Sequence, residues 1–188
     1  MNRWVPIGCY VVLLGIGLAF MAHGLWIPAK AMLAQHLLEN AWQERLEIGS
    51  PVKAWPWADS WPIARLTIDG KSTIVLSDAG GESLAFGPSH VSGSAKPGTK
   101  GTSVISAHRD THFQVLKTVK PGNVVTLQRA DGATRDYEVR ETRILPKPKL
   151  SLPIYDGRER LILVTCWPFD AVVPDTQKRF SVLAERVR

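Results

Sequence analysis

The first long pattern along the chain is an uninterrupted apolar run. Residues 5–22, VPIGCYVVLLGIGLAFMA, carry no charge, and with His23 tolerated the run reaches Ile27. Roughly 20 helical residues cross a bilayer core, so residues 1–27 are expected to form a transmembrane anchor. Pro6 falls near the start, where a helix tolerates proline. The alternative is a cleavable signal peptide, with AKA at Ala29–Ala31 as its small-residue site, although that site lies well past the apolar run. In KAMLAQHLLENAWQERLE, residues 30–47, Leu33, Leu37, Ala41 and Trp42 recur at three-to-four spacing, with Met32, Leu38 and Leu46 widening the stripe. Gln35, Glu39, Gln43 and Glu44 fill the other side, which predicts an amphipathic helix within residues 28–50, stopped by IGSP. His36 lies beside the stripe and reads as a packing or surface residue.

Residues 51–61 form a connector rich in proline and tryptophan. Trp55, Trp57 and Trp61 stand too close together for a solvated linker and are expected to pack on the domain that follows. From residue 62 to 188 the pattern shortens to period two. IARLTI and STIVL flank DGK, a hairpin signal. TSVISA, VVTLQR, RDYEVRETRIL, RLILVTC and RFSVLAERV follow, separated by Gly-Pro, Pro-Gly and Asp-Gly turns. Short strands at this spacing predict an all-β barrel or sandwich. Helix is expected only briefly, over Thr111–Lys117. Residues 145–159, LPKPKLSLPIYDGRE, are too long for a hairpin turn, and loops of that length in compact domains are usually functional or disordered.

Composition narrows the function classes. The 188 residues are 45% hydrophobic and 21% charged, enough for one cored domain plus a small extra element and unlike a disordered chain. The net charge of +6 is modest, and ten of the 23 Lys and Arg residues lie after Arg135. It comes with no zinc-finger spacing, basic helix or RNP-like segment, so no nucleic-acid partner is expected. A solvated basic surface is the plainer reading, and attraction to anionic lipid headgroups is the second. Of the two cysteines, Cys9 lies in the apolar run, leaving the globular part a single thiol, Cys166. A lone thiol in an exported domain raises the question of reactivity.

SAHRDTHF, residues 106–113, offers two histidines at i and i+4. A zinc helix of the H-E-x-x-H kind would need glutamate where Arg109 stands and a third ligand that the chain does not supply, so no metal is expected. HRD also opens the protein-kinase catalytic loop, but the required asparagine is missing at the motif's spacing and no glycine-rich loop or D-F-G follows. RLILVTCWPFD places Cys166 where a strand meets Trp167-Pro168, and proline cannot continue a ladder. A buried structural thiol is the plain alternative. His108 likewise ends an apolar run, and Arg179 opens the last strand thirteen residues after the cysteine. An antiparallel return would bring Arg179 back to the rim that holds Cys166. A thiol, an imidazole and a permanent guanidinium suit acyl transfer, in which a nucleophile needs a proton partner and a developing oxyanion needs a donor. Papain-like enzymes reverse the order of cysteine and histidine, and chymotrypsin-like cysteine proteases need two barrels.

These blocks together resemble the sortases, membrane-anchored cysteine transpeptidases. The resemblance covers about Trp55–Arg188. GPSHVSGSAKPGTKGTSVISAHRDTHF is similar to the family's block around its catalytic histidine. LVTC at 163–166 is similar to its T-L-x-T-C motif, with Ile162 in place of the first threonine. TCWPFD and WPWADSWPIARL most resemble class GN, the sortases of Gram-negative bacteria.

The resemblance implies a closed sortase-type β-barrel and a catalytic set of Cys166, His108 and Arg179. It implies substrate contacts at Thr165, Ala107, Trp167 and Ile154, with loop 145–159 as one wall of the groove. Asp110 and His112 are then structural neighbours. Calcium-binding sortases carry clustered acids near the groove, whereas here the loop offers only Asp156 and Glu159 among basic residues, so neither metal nor other cofactor is expected. ADSW at 58–61 is faintly similar to a lid motif of some members, although packing of the connector accounts for it equally. The implied substrates are exported proteins with a C-terminal LPxTG-like sorting signal, and an amine acts as acceptor. The implied location is the cytoplasmic membrane, spanned once, with the catalytic domain on the extracytoplasmic or periplasmic side. Arg3 as the inner flank agrees with this, and Lys30 across the run weakens it. A hydrolytic cysteine endopeptidase and a non-catalytic peptide-binding domain remain open alternatives.

Overall fold

The structure, a computed structural model, describes residues 4–147, 157–171 and 176–187. Its first element is helix α1, Trp4–Ile48. It runs without a break through residues 4–27 of the expected anchor and 28–48 of the expected amphipathic segment. The helix ends at Gly49, whose φ of 72° is the left-handed geometry glycine adopts freely and whose amide donates to the Arg45 carbonyl at 2.9 Å. The chain divides into two compact units, residues 1–36 and 37–188. The first is long and apolar enough to cross a membrane. It leaves Tyr10, Leu14, Phe20 and Met21 exposed.

The second unit is a closed barrel of eight strands among the described residues: β1 Pro62–Ile68, β2 Lys71–Leu76, β3 Ser89–His90, β4 Gly101–Ser106, β5 Val124–Arg129, β6 Thr134–Pro146, β7 Glu159–Trp167 and β8 Lys178–Arg186. Their order around the barrel is β1-β2-β3-β4-β7-β8-β6-β5. The DGK signal is realised as the β1–β2 hairpin, with Ile68 opposite Lys71. Asp69 and Gly70 both have positive φ, 49° and 72°, as a two-residue turn between twisted strands requires. A four-residue helix, α2 (Ser83–Phe86), lies between β2 and β3. The helix expected over Thr111–Lys117 is a single 3-10 turn, Gln114–Lys117.

Strand alternation fills the barrel. Ala64, Leu66 and Ile68 of β1, Leu161 and Leu163 of β7, and Val182 and Ala184 of β8 meet Ile105, Phe113, Leu127 and Tyr137 in the interior. The C-terminal part of α1 covers the outer face of β2. There Leu38 and Trp42 pack on Ile74 and Leu76, joined by Trp55. This explains why Ile74, Val75 and Leu76 are buried in succession instead of alternately. Glu39 accepts a hydrogen bond from Arg65 of β1 at the same place. The connector packs only in part. Trp55 meets Phe86 edge to face at 4.9 Å, but Trp57 is 79% exposed because Ala58 and Ser60 take the inward positions.

Candidate active site

The site follows from strand parity. On β7, Leu161 and Leu163 point inward, while Ile162 and Val164 join a second cluster on the outer face with Val104 of β4 and Leu183 of β8. Cys166 continues the outward series. Directly opposite it on antiparallel β8 stands Arg179, so both side chains leave the sheet on one face. On the other side of β7, parallel β4 pairs Ser106 with Val164, and the Ala107 amide extends the ladder to the Val164 carbonyl at 3.2 Å. Two residues further along each chain come His108 and Cys166. The three groups that the sequence set 58 and 13 residues apart thereby reach one rim of the barrel.

They line a single cleft of about 360 Å³, together with Leu84, Ser106, Ala107, Arg109, Asp110 and Thr165. His108 is exposed, and Cys166 and Arg179 are half-buried. Arg179 is held from behind, its Nη1 donating to the Thr176 carbonyl at 2.5 Å and to the Lys178 carbonyl at 3.0 Å. A half-buried thiol flanked by an imidazole and a fixed guanidinium is arranged for nucleophilic acyl transfer.

The residues expected to contact substrate separate. Thr165 is 2% exposed, and its hydroxyl donates to the Ala107 carbonyl at 2.8 Å. It lies in the cleft wall but spends its hydrogen bond on joining the end of β7 to the segment that carries His108. Ala107 is buried beside it. Trp167 is not among the cleft-lining residues. It stacks on Phe180 at 5.8 Å and meets Phe169 edge to face at 5.6 Å, forming an aromatic cap. Ile154 lies outside the described residues, as do residues 148–156 of the expected groove wall. Asp110 is exposed and forms an ion pair with Arg109 at 2.7 Å. The hydrogen bond from Arg109, then the guanidinium's charge and that of His108, hold the Asp110 carboxyl below its usual range. His112 is half-buried, and burial followed by the charge of His108 lowers its pKa. Among the described residues, no three His, Cys, Asp or Glu side chains converge as metal ligands.

Sequence reading treated Arg109 only as an obstacle to metal binding. In the fold it is 4% exposed and lines the cleft. Its place between a candidate catalytic histidine and a turn aspartate was the available signal. Leu84, contributed by α2, had none, since nothing in its segment marks it as close to residues 106–110.

Comparison with known proteins agrees with this architecture. A family model described as the sortase domain matches residues 66–187. Sortase D of Bacillus subtilis (strain 168) is 31% identical over 114 residues, which are 60% of this chain and 57% of that protein. The chain thus spans little more than half the length of this relative. Sortase C-1 from Actinomyces oris superposes with a TM-score of 0.60 at 28% identity, covering 68% of this chain and 73% of that one. The Clostridium perfringens sortase D5 transpeptidase shares the fold with a TM-score of 0.63 at 17% identity, over 82% of this chain and 96% of that one.

Proposed function

Because the chain belongs to the sortase family, whose members are cysteine transpeptidases, we propose that it is a membrane-anchored transpeptidase acting on exported proteins with an LPxTG-like C-terminal signal. The observation that carries this reading is the pairing of Cys166 with Arg179 across β7–β8, with the end of β4 delivering His108 to the same cleft. In the proposed reaction the Cys166 thiolate attacks the carbonyl carbon of the signal's threonine. The carbonyl π electrons move to oxygen, and the Arg179 guanidinium stabilises that oxyanion. Collapse forms a thioester and expels the downstream amine, which takes a proton from the His108 imidazolium. An incoming amine then gives a proton to neutral His108 and attacks the thioester. A new amide forms and the thiolate is regenerated. Residues 1–27 tether the barrel beside newly exported substrates. TCWPFD and the tryptophan-rich connector support class GN within the family.

The full-length chain in detergent, incubated with an LPxTG peptide, should yield a thioacyl adduct on Cys166 by mass spectrometry and a ligated product when an amine is added. Hydrolysis without ligation would favour the endopeptidase. Turnover should vanish in C166A and fall about 10²–10⁴-fold in H108A, as loss of a proton-transfer group predicts. R179A should lose about 10²–10³-fold, the usual cost of losing an oxyanion donor. Function surviving in C166A would leave only a peptide-binding domain.

A further inference from the structure

Arg109 is a charged side chain buried at the edge of the cleft, and its hydrogen bonds among the described residues join parts of the site that are distant in sequence or adjacent to a reacting group. Its Nη1 donates to the Pro168 carbonyl at 2.7 Å and its Nη2 to the Ala171 carbonyl at 2.8 Å. Its Nε and Nη2 donate to the two Asp110 carboxylate oxygens at 2.7 and 3.1 Å. The two carbonyls belong to the segment that leaves β7 just past Cys166. Asp110 sits two residues after His108, on the turn leaving β4.

Burying a guanidinium is costly unless its donors are satisfied. Here they are satisfied by the two chain segments whose relative position sets the geometry of thiol and imidazole. The sheet alone does not fix that geometry. β4 ends at Ser106 and its last ladder bond is made by Ala107, so His108 stands beyond the hydrogen-bonded region. Thr165 holds Ala107 from one side, and Arg109 holds the turn that follows. The Phe113 amide closes that turn on the His108 carbonyl at 3.1 Å. The hydrogen bonds to Asp110, with smaller contributions from the charges of Asp110, a Cys166 thiolate and Asp170, hold the guanidinium even more firmly protonated than usual. The guanidinium therefore stays charged through the neutral pH range.

We infer that Arg109 is the positioning residue of this site: its planar fork ties Pro168 and Ala171 to the His108–Asp110 turn and so fixes the imidazole relative to the Cys166 sulfur. It touches no reacting atom. The inference rests on the acyl-transfer reading given above. Lysine, a point charge on a flexible stem, cannot bridge two carbonyls and a bidentate carboxylate at once. Charge alone should therefore not substitute for the fork.

The test uses the full-length chain in detergent with R109K, R109Q and D110N. R109K and R109Q are expected to lower kcat for an LPxTG peptide by about 100-fold, the scale of a displacement near 1 Å. KM should stay within about twofold, because the other cleft-lining side chains, Leu84, His108, Thr165 and Arg179 among them, are retained. D110N should cost about tenfold or less, since both carbonyl bonds to Arg109 survive. Hydrogen exchange followed by mass spectrometry should speed up in peptides containing Phe113 and Ala171 while barrel strands keep their protection. Full kcat in R109K would overturn the inference, because charge would then suffice. Unchanged exchange at both segments in R109Q would also overturn it. If R109Q fails to fold, R109K alone decides by the same two readouts. Exchange needs no substrate, so a wild type that cleaves no sorting peptide fails the proposed function and leaves Arg109 to be judged by exchange.

Discussion

Thr165 shows how one buried hydroxyl can join two segments of the cleft wall. Its donation to the Ala107 carbonyl crosses from β7 to the segment that presents His108. Thr165→Val keeps the volume and removes the donor, leaving a buried carbonyl short of a partner. A loss of about 1–3 kcal/mol in denaturant unfolding is expected, with kcat falling more than KM rises. His112 makes a pH prediction. Its folded pKa lies below the ordinary 6.5 because burial, and then the His108 charge, disfavour its cation. The unfolded chain thus binds the extra proton first. The stability due to neutral His112 is complete above about pH 6.5 and is lost as pH falls from there through the folded value. His112→Gln should flatten the acid side of the stability–pH curve between pH 7 and 5, measured by urea midpoints. A curve parallel to wild type would contradict this.

Among elements, the β1–β2 hairpin was the most legible in sequence. Asp-Gly between alternating runs specifies a turn with two positive φ values, and Asp69 and Gly70 adopt them. Gly70→Ala should cost about 1 kcal/mol from backbone strain, seen as a lower melting temperature with activity kept. The C-terminal part of α1 was legible as an amphipathic stripe, but not which surface it would cover. It covers β2, with Trp42 fully buried between Leu38 and Ile74. Trp42→Ala should destabilise by about 3–5 kcal/mol, a loss comparable to the whole stability of many domains.

For the whole molecule, the second unit has its own interior cluster and its own helix-covered outer cluster. A chain beginning at Leu37 is expected to fold cooperatively and to dissolve without detergent, since the exposed apolar side chains Tyr10, Phe20 and Met21 lie before it. Circular dichroism melting and gel filtration check this, and aggregation or a non-cooperative melt would count against it. The barrel depends on pairings remote in sequence. β4 meets β7 across 58 residues at Ser106 and Val164. Such topologies pay loop-closure entropy before contacts repay it, so refolding is expected on the millisecond-to-second scale by stopped-flow fluorescence.

Local patterns settled what kind of elements the chain would form. An apolar run long enough to cross a bilayer, strands of period two and a hairpin turn depend on neighbours a few residues apart, and so does the placing of Cys166 and His108 at strand ends. The tertiary structure decided which faces those elements share. Parity on β7 and β8 sent Cys166 and Arg179 outward together. The β4–β7 register brought His108 beside them. Burial gave Arg109 carbonyl partners 59 and 62 residues away, joined the Thr165 hydroxyl to the Ala107 carbonyl and stacked Trp167 on Phe180. A side chain's partner across a barrel depends on register, and register is fixed by how every strand buries its apolar side, a sum that no short stretch of sequence contains.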